Sequence, residues 1–109
     1  MSIIHSQDVL FDSIYVNSSS SNGYPARNTD GADTIYSSNL TFSNWIVDNG
    51  DDSISFKANS TDIIVKDCTF YRGLGVSVGS IGQYYGVVET VERISITGIT
   101  FINTLHAVR

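Results

Sequence analysis

Apolar residues recur along this chain in one compact pattern, apolar-x-apolar-x-x-apolar-x-apolar. It appears four times: Val9, Phe11, Ile14, Val16; Leu40, Phe42, Trp45, Val47; Ile63, Val65, Cys68, Phe70; and Ile94, Ile96, Ile99, Phe101. Period-two alternation on each side of a two-residue interruption describes two short strands meeting at a bend, and helical periodicity is absent. The repeats begin 31, 23 and 31 residues apart. The two longer steps contain insertions, a Ser- and Asn-rich stretch from Ser18 to Pro25 and a Gly- and Tyr-containing stretch from Ser80 to Val91. A further apolar pair follows at nearly constant offset, Ile54 and Phe56, then Val76 and Val78, with Ala107 at the matching place in the last unit. Three short strands per unit predict a parallel β-helix, in which each coil buries its inward side chains against the coils above and below. An antiparallel sandwich of the same strands would require no fixed repeat length.

A solenoid converts spacing into geometry, because equivalent residues on successive coils stack about 4.8 Å apart. Asp30 and Asp51 are 21 residues apart, Asp51 and Leu74 are 23 apart, and Leu74 to Arg109 is one coil plus the second insertion. The motifs Asn28-Thr29-Asp30-Gly31, Gly50-Asp51-Asp52, Gly73-Leu74-Gly75 and Arg109 are therefore expected along one outer face, with the two insertions walling a groove. Carboxylates held close together can protonate a leaving group and activate a water. Each motif alone is also an ordinary Asx-type corner. Its glycines, Gly31, Gly50, Gly73 and Gly75, adopt positive φ or let a ligand approach the backbone. Adjacent strand residues point to opposite faces, so Asp51 and Asp52 both reach solvent only from a turn, which Gly50 permits.

Composition narrows the picture. The chain of 109 residues carries 41% hydrophobic residues, enough for one domain with a modest core, and contains no apolar run long enough to span a membrane. A net charge of -5 with six Lys and Arg argues against a nucleic-acid partner. Cys68 falls at an apolar slot and reads as a small core residue. The start, Met1-Ser2-Ile3-Ile4-His5, lacks the features of a secretory signal, yet Asn17-Ser18-Ser19, Asn39-Leu40-Thr41 and Asn59-Ser60-Thr61 are N-glycosylation sequons. The two observations agree if residues 1–109 are an internal piece of a single catalytic β-helix domain in a longer secreted, extracellular protein.

Taken together, Asn28-Thr29-Asp30-Gly31-Ala32-Asp33, Asn49-Gly50-Asp51-Asp52-Ser53-Ile54 and the stretch from Gly73 to Tyr84 resemble the signature of the pectin-degrading polygalacturonases, glycoside hydrolase family 28. The resemblance implies a right-handed parallel β-helix that hydrolyses α-glycosidic bonds with inversion and needs no metal or organic cofactor. Carried over, Asp51 is the general acid, and Asp30 and Asp52 position and activate the water. Crowding three carboxylates raises the proton affinity of at least one, as an acid requires. Inverting enzymes hold acid and base roughly 6.5 to 9.5 Å apart, a separation neighbouring coils can supply. Asn28 and Arg109 are expected to bind substrate.

Two departures from the family pattern stand out. Leu74 replaces the His usual in Gly-His-Gly, which resembles exo-acting fungal branches, as does Ile81-Gly82-Gln83-Tyr84. The family's Arg-x-Lys motif stops after its Arg, Arg109. His106 on the next coil is a candidate substitute for the absent His or a plain packing residue. Lys57 and Arg72 could bind a uronate carboxylate or be solvated corners. Gln83 is a candidate substrate contact, and Tyr84 and Tyr85 could stack on a sugar ring or simply be exposed loop residues. Trp45 occupies an inward slot and reads as core.

The sequence thus points to an exo-acting hydrolase that releases terminal galacturonic acid from homogalacturonan, monomeric when complete and with pectic polysaccharide as its partner. An exo-α-L-rhamnosidase on rhamnogalacturonan is the alternative, since a neutral terminal sugar needs less cationic help and this chain has only six Lys and Arg. A non-catalytic carbohydrate-binding β-helix and a lyase on the same fold are further readings. Uncapped coils expose apolar edges, so residues 1–109 alone are expected to be unstable or to aggregate.

Overall fold

The computed structural model describes residues 1–109 as four coils of three strands each, with no helix. The first coil holds β1 (Ser2–Ile4), β2 (Gln7–Asp12) and β3 (Tyr15–Asn17), and the second β4 (Ala32–Ile35), β5 (Ser38–Ser43) and β6 (Ile46–Asn49). The third holds β7 (Asp52–Phe56), β8 (Ser60–Lys66) and β9 (Thr69–Arg72), and the fourth β10 (Gly75–Val78), β11 (Val91–Thr97) and β12 (Thr100–Ile102). Equivalent strands stack into three parallel sheets, β1-β4-β7-β10, β2-β5-β8-β11 and β3-β6-β9-β12. This is a parallel β-helix, as the repeat predicts.

The register reproduces the sequence repeat residue for residue. Val9, Leu40, Ile63 and Ile94 stack in line, as do Phe11, Phe42, Val65 and Ile96, and then Val16, Val47, Phe70 and Phe101. The two-residue interruption is a corner: Ser13, Asn44, Asp67 and Gly98 adopt φ of 58°, 56°, 54° and 64°. Asn, Asp and Gly tolerate this left-handed conformation best, which is why polar residues recur at the corner. The side chains of the middle coils are sealed inside, whereas Val9, Phe11, Ile94 and Ile96 of the outer coils are only partly covered. Trp45 is fully buried, as expected, with Nε1 donating to the Phe11 carbonyl at 2.9 Å. Cys68 is a buried free thiol, and burial raises its pKa.

Three expectations need correction. Val108, not Ala107, bridges to Val76, because the chain takes one residue more from Phe101 to this site than from Phe70 to Val76. Asp52 is not a solvent-facing turn residue; it opens β7 and is buried. Gly31 and Gly50 serve neither positive φ nor ligand approach, since a Cβ on Gly31 would lie 2.3 Å from the Ser53 carbonyl and one on Gly50 2.4 Å from Ala26 backbone. They leave room for another stretch of this chain's own backbone.

Candidate active site

The carboxylates sit where the chain turns into the first sheet. Asp30 lies just before β4 and Asp51 just before β7, and the pairing of Ala32 with Ile54 and Asp33 with Ser55, followed back, sets Asp30 level with Asp52. Buried Asn49 bolts this corner. Its Nδ2 donates to the carbonyls of Thr29 at 2.9 Å, Asp51 at 2.9 Å and Asp52 at 2.8 Å, joining the two acidic motifs. Thr29 adds a second tie, its hydroxyl accepting from Gly50 N at 3.0 Å. Asn28 donates its backbone N–H to Asp51 Oδ2 at 2.9 Å, and Asp52 N–H donates to Asp51 Oδ1 at 3.0 Å. Asp51 is thus oriented by two backbone donors.

One oxygen from each of Asp30, Asp51 and Asp52 lies within 4.8 Å of the others. That is closer than the roughly 6.5 to 9.5 Å expected between the acid and base of an inverting enzyme. Burial first, then a hydrogen bond to Asp33, then the charges of Asp33, Asp51 and Asp52 raise the pKa of Asp30 to about 6. Three oxygens this close could also hold a cation. Asp52 is braced by Arg109, whose Nε and second guanidinium nitrogen both approach Oδ1 at 3.1 Å. Lys57 lies 3.0 Å from Asp33 and 4.0 Å from Asp30. Lys57 and Arg109 therefore both have acidic partners within the protein.

These residues line one groove of about 410 Å³, formed by Asn28, Asp30, Asp51, Asp52, Lys57 and Arg109 with the β10 end from Ser77 to Ser80. A second hollow adjoins it, sharing Asn28 and Asp51 and adding Tyr24, Pro25, Arg27, Gly50 and Leu74. Asp30, Asp51 and Arg109 thus converge as expected, while Leu74 lines the adjoining hollow. The first insertion walls the site through Tyr24 and Pro25, but the second contributes only its root, Gly79 and Ser80.

The structure leaves other candidates outside. Gln83, Tyr84 and Tyr85 are exposed and line neither space, because the second insertion points its tip into solvent. His106 is likewise exposed and outside, and its carbonyl lies where a Cβ on Gly75 would be 2.2 Å away. Arg72 lines neither space; it pairs through both Nε and its terminal nitrogen with Asp48 and borders a separate hollow with Tyr24, Pro25 and Gly50. Of the sequons, Asn17 and Asn39 are exposed, whereas Asn59 is half-buried and accepts from Thr90 N at 3.0 Å. Asn49, Thr29 and Asp33 are the residues that sequence reasoning missed. All three stand inside the quoted motifs, so their adjacency to Asp30 and Asp51 was the available signal.

Comparison with known proteins agrees with this geometry. The family model "Glycosyl hydrolases family 28" matches residues 1–109. The chain is 62% identical over 108 residues to alpha-L-rhamnosidase rgxB of Aspergillus niger, covering 99% of this chain and 25% of that protein. It is 45% identical over 107 residues to probable exopolygalacturonase X of Aspergillus terreus and 41% over 107 to exopolygalacturonase X-1 of Emericella nidulans, covering 98% of this chain and 25% of each. The chain therefore spans a quarter of the length of these relatives. No solved structure matches significantly. Three stacked parallel sheets carrying an Asp30, Asp51 and Asp52 cluster, and a family model matched from end to end, make this chain a member of glycosyl hydrolases family 28.

Proposed function

We propose that these residues form the acid/base centre of a secreted, exo-acting hydrolase that removes a terminal sugar from pectic polysaccharide, with rhamnose as the favoured product. Asp51 protonates the leaving oxygen, and Asp30 and Asp52 hold and deprotonate the attacking water, which gives inversion. The carboxylates lie closer together than in a simple acid/base pair. A third carboxylate allows the water to sit beside the trio rather than between two members of it. Arg109 holds Asp52 in place through its ion pair, and Lys57 does the same for Asp33.

The observation that carries the choice of sugar is the fate of the cations. Lys57 and Arg109 are both engaged by carboxylates, which leaves the main groove without a free cation to bind a uronate. A neutral sugar makes no such demand. The alpha-L-rhamnosidase relative, at 62% identity, points the same way. Release of galacturonic acid is the second reading, favoured by the exopolygalacturonase relatives and by Arg27 in the adjoining hollow. The raised pKa of Asp30 favours one change of roles, with Asp30 as the acid. The test is product identification with an enzyme of the relatives' full length carrying residues 1–109, incubated with rhamnogalacturonan and homogalacturonan oligomers. Free rhamnose supports the proposal and free galacturonic acid supports the second reading. No product from either polymer favours a binding module, and an unsaturated product favours a lyase.

A further inference from the structure

Leu74 is an apolar side chain where a hydrolase would be expected to place a polar one. It belongs neither to the buried core nor to the open surface: it is half-buried and lines the hollow beside Asp51 with Tyr24 and Pro25. Its placement is firm. The Leu74 N–H donates to the Asp51 carbonyl at 2.9 Å, and the flanking Gly73 and Gly75 take φ of +56° and +86°. A Cβ on Gly73 would stand 2.5 Å from that same carbonyl, so the corner that presents Leu74 accepts no bulk beside it. Across the hollow, Tyr24 and Pro25 come from the first insertion, and the Tyr24 N–H is held by Asn22 Oδ1 at 3.1 Å.

We propose that Leu74, facing Tyr24 and Pro25, forms a specificity wall that receives the C6 methyl of a terminal 6-deoxyhexose. The inference rests on the reading of terminal-sugar release given above and names the feature of the sugar that is recognised. A methyl group gains from burial against an isobutyl side chain. A hydroxymethyl group or carboxylate at the same carbon would have to lose water there with no donor or acceptor supplied by Leu74. Arg27, exposed on the rim of the same hollow, is the cation a terminal uronate would use, so a terminal galacturonoside is the competing substrate.

The test uses an enzyme of the relatives' full length carrying residues 1–109, as parent and as Leu74→Ala, with three nitrophenyl glycosides. These are the α-L-rhamnoside, the α-L-mannoside, which has a hydroxymethyl in place of the methyl, and the α-L-lyxoside, which lacks C6. A methylene-sized contact in an apolar pocket is worth about 10-fold or more in kcat/KM. Leu74→Ala is expected to lower kcat/KM for the rhamnoside about 10-fold and to leave the lyxoside unchanged. The parent is expected to prefer rhamnoside to mannoside. Equal losses on rhamnoside and lyxoside would overturn the inference by showing that Leu74 merely supports Asp51. No loss on either would also overturn it, while leaving rhamnose release intact. In the oligomer incubation above, a parent that releases galacturonate but no rhamnose removes the underlying reading itself.

Discussion

Replacing Asn49 with Ala should damage both stability and rate, although Asn49 is not expected to touch the sugar. The side chain is almost fully buried, and its single Nδ2 serves three carbonyls, those of Thr29, Asp51 and Asp52. Two N–H hydrogens are lost, at about 1 kcal/mol each. The Asp51 and Asp52 carbonyls keep other donors, Leu74 N at 2.9 Å and Gly31 N at 3.0 Å. The Thr29 carbonyl has no second donor and is left unsatisfied, which adds about 1 to 2 kcal/mol. The Asn49 Oδ1 is itself buried without a donor, so its removal offsets about 1 kcal/mol and the net cost is about 2 to 3 kcal/mol. Because the same amide fixes the segments bearing Asp30 and Asp51, their misalignment by about 1 Å should cost on the order of 100-fold in kcat/KM. The assay is urea unfolding and initial rates on the preferred oligomer, with Asn17→Ala as control. Asn17 also donates through its amide, to the Tyr15 hydroxyl at 3.1 Å, but from an exposed position. An Asn49→Ala enzyme within about 0.5 kcal/mol of its parent and equally active would refute the reasoning.

Other expectations follow from the same geometry. Asp51→Asn and Asp30→Asn should each reduce turnover by about 100-fold or more, read as initial rates, with the fold unchanged by circular dichroism. Asp33→Asn removes one cause of the raised pKa of Asp30, so the pH-rate limb that reports Asp30 should move to lower pH, and a limb that stays in place would contradict the proton sharing. Asp30 binds its proton more tightly in the folded chain, about 6 against 3.8, so its contribution makes stability fall as pH rises through that window. Asp30→Asn should flatten that slope in urea midpoints measured at several pH values. Phe42→Ala, at a fully buried site stacked on Phe11 at 5.2 Å, should cost about 3 to 5 kcal/mol. Residues 1–109 expressed alone should aggregate in sedimentation runs, because the outer coils cover their apolar side chains only partly. A sharp thermal transition from a soluble monomer would contradict that.

How much of this was legible in the sequence depended on whether a feature repeats. The inward slots repeat, so Val9, Leu40, Ile63 and Ile94 could be aligned by eye and the stacking followed. The acidic cluster was legible for the same reason, since coil length sets which residues are neighbours. Features that break the repeat were not. The partner of Val76 in the last unit is Val108 rather than Ala107, and nothing in side-chain pattern marks that one-residue shift. Loop direction was equally hidden: both insertions leave the stack near the site, yet the first brings Tyr24 and Pro25 to the adjoining hollow while Gln83 and Tyr84 of the second line neither space. Asn49 could be singled out only by its place in the Asp51 motif, because its partners are backbone carbonyls, which leave no trace in residue identity. The ion pairs of Lys57 and Arg109 were hidden similarly, since both were visible as cations but not as cations already engaged.

The central claim is that Asp30, Asp51 and Asp52 carry out an inverting hydrolysis. It is tested most directly by following the anomeric signals of the released sugar by proton NMR during the first turnovers, with Asp51→Asn alongside. The account predicts that the product appears first as the β anomer from an α-linked substrate, and that the variant releases none. An α anomer appearing first would instead make one of the three carboxylates a nucleophile, and undiminished release by Asp51→Asn would remove Asp51 from the chemistry.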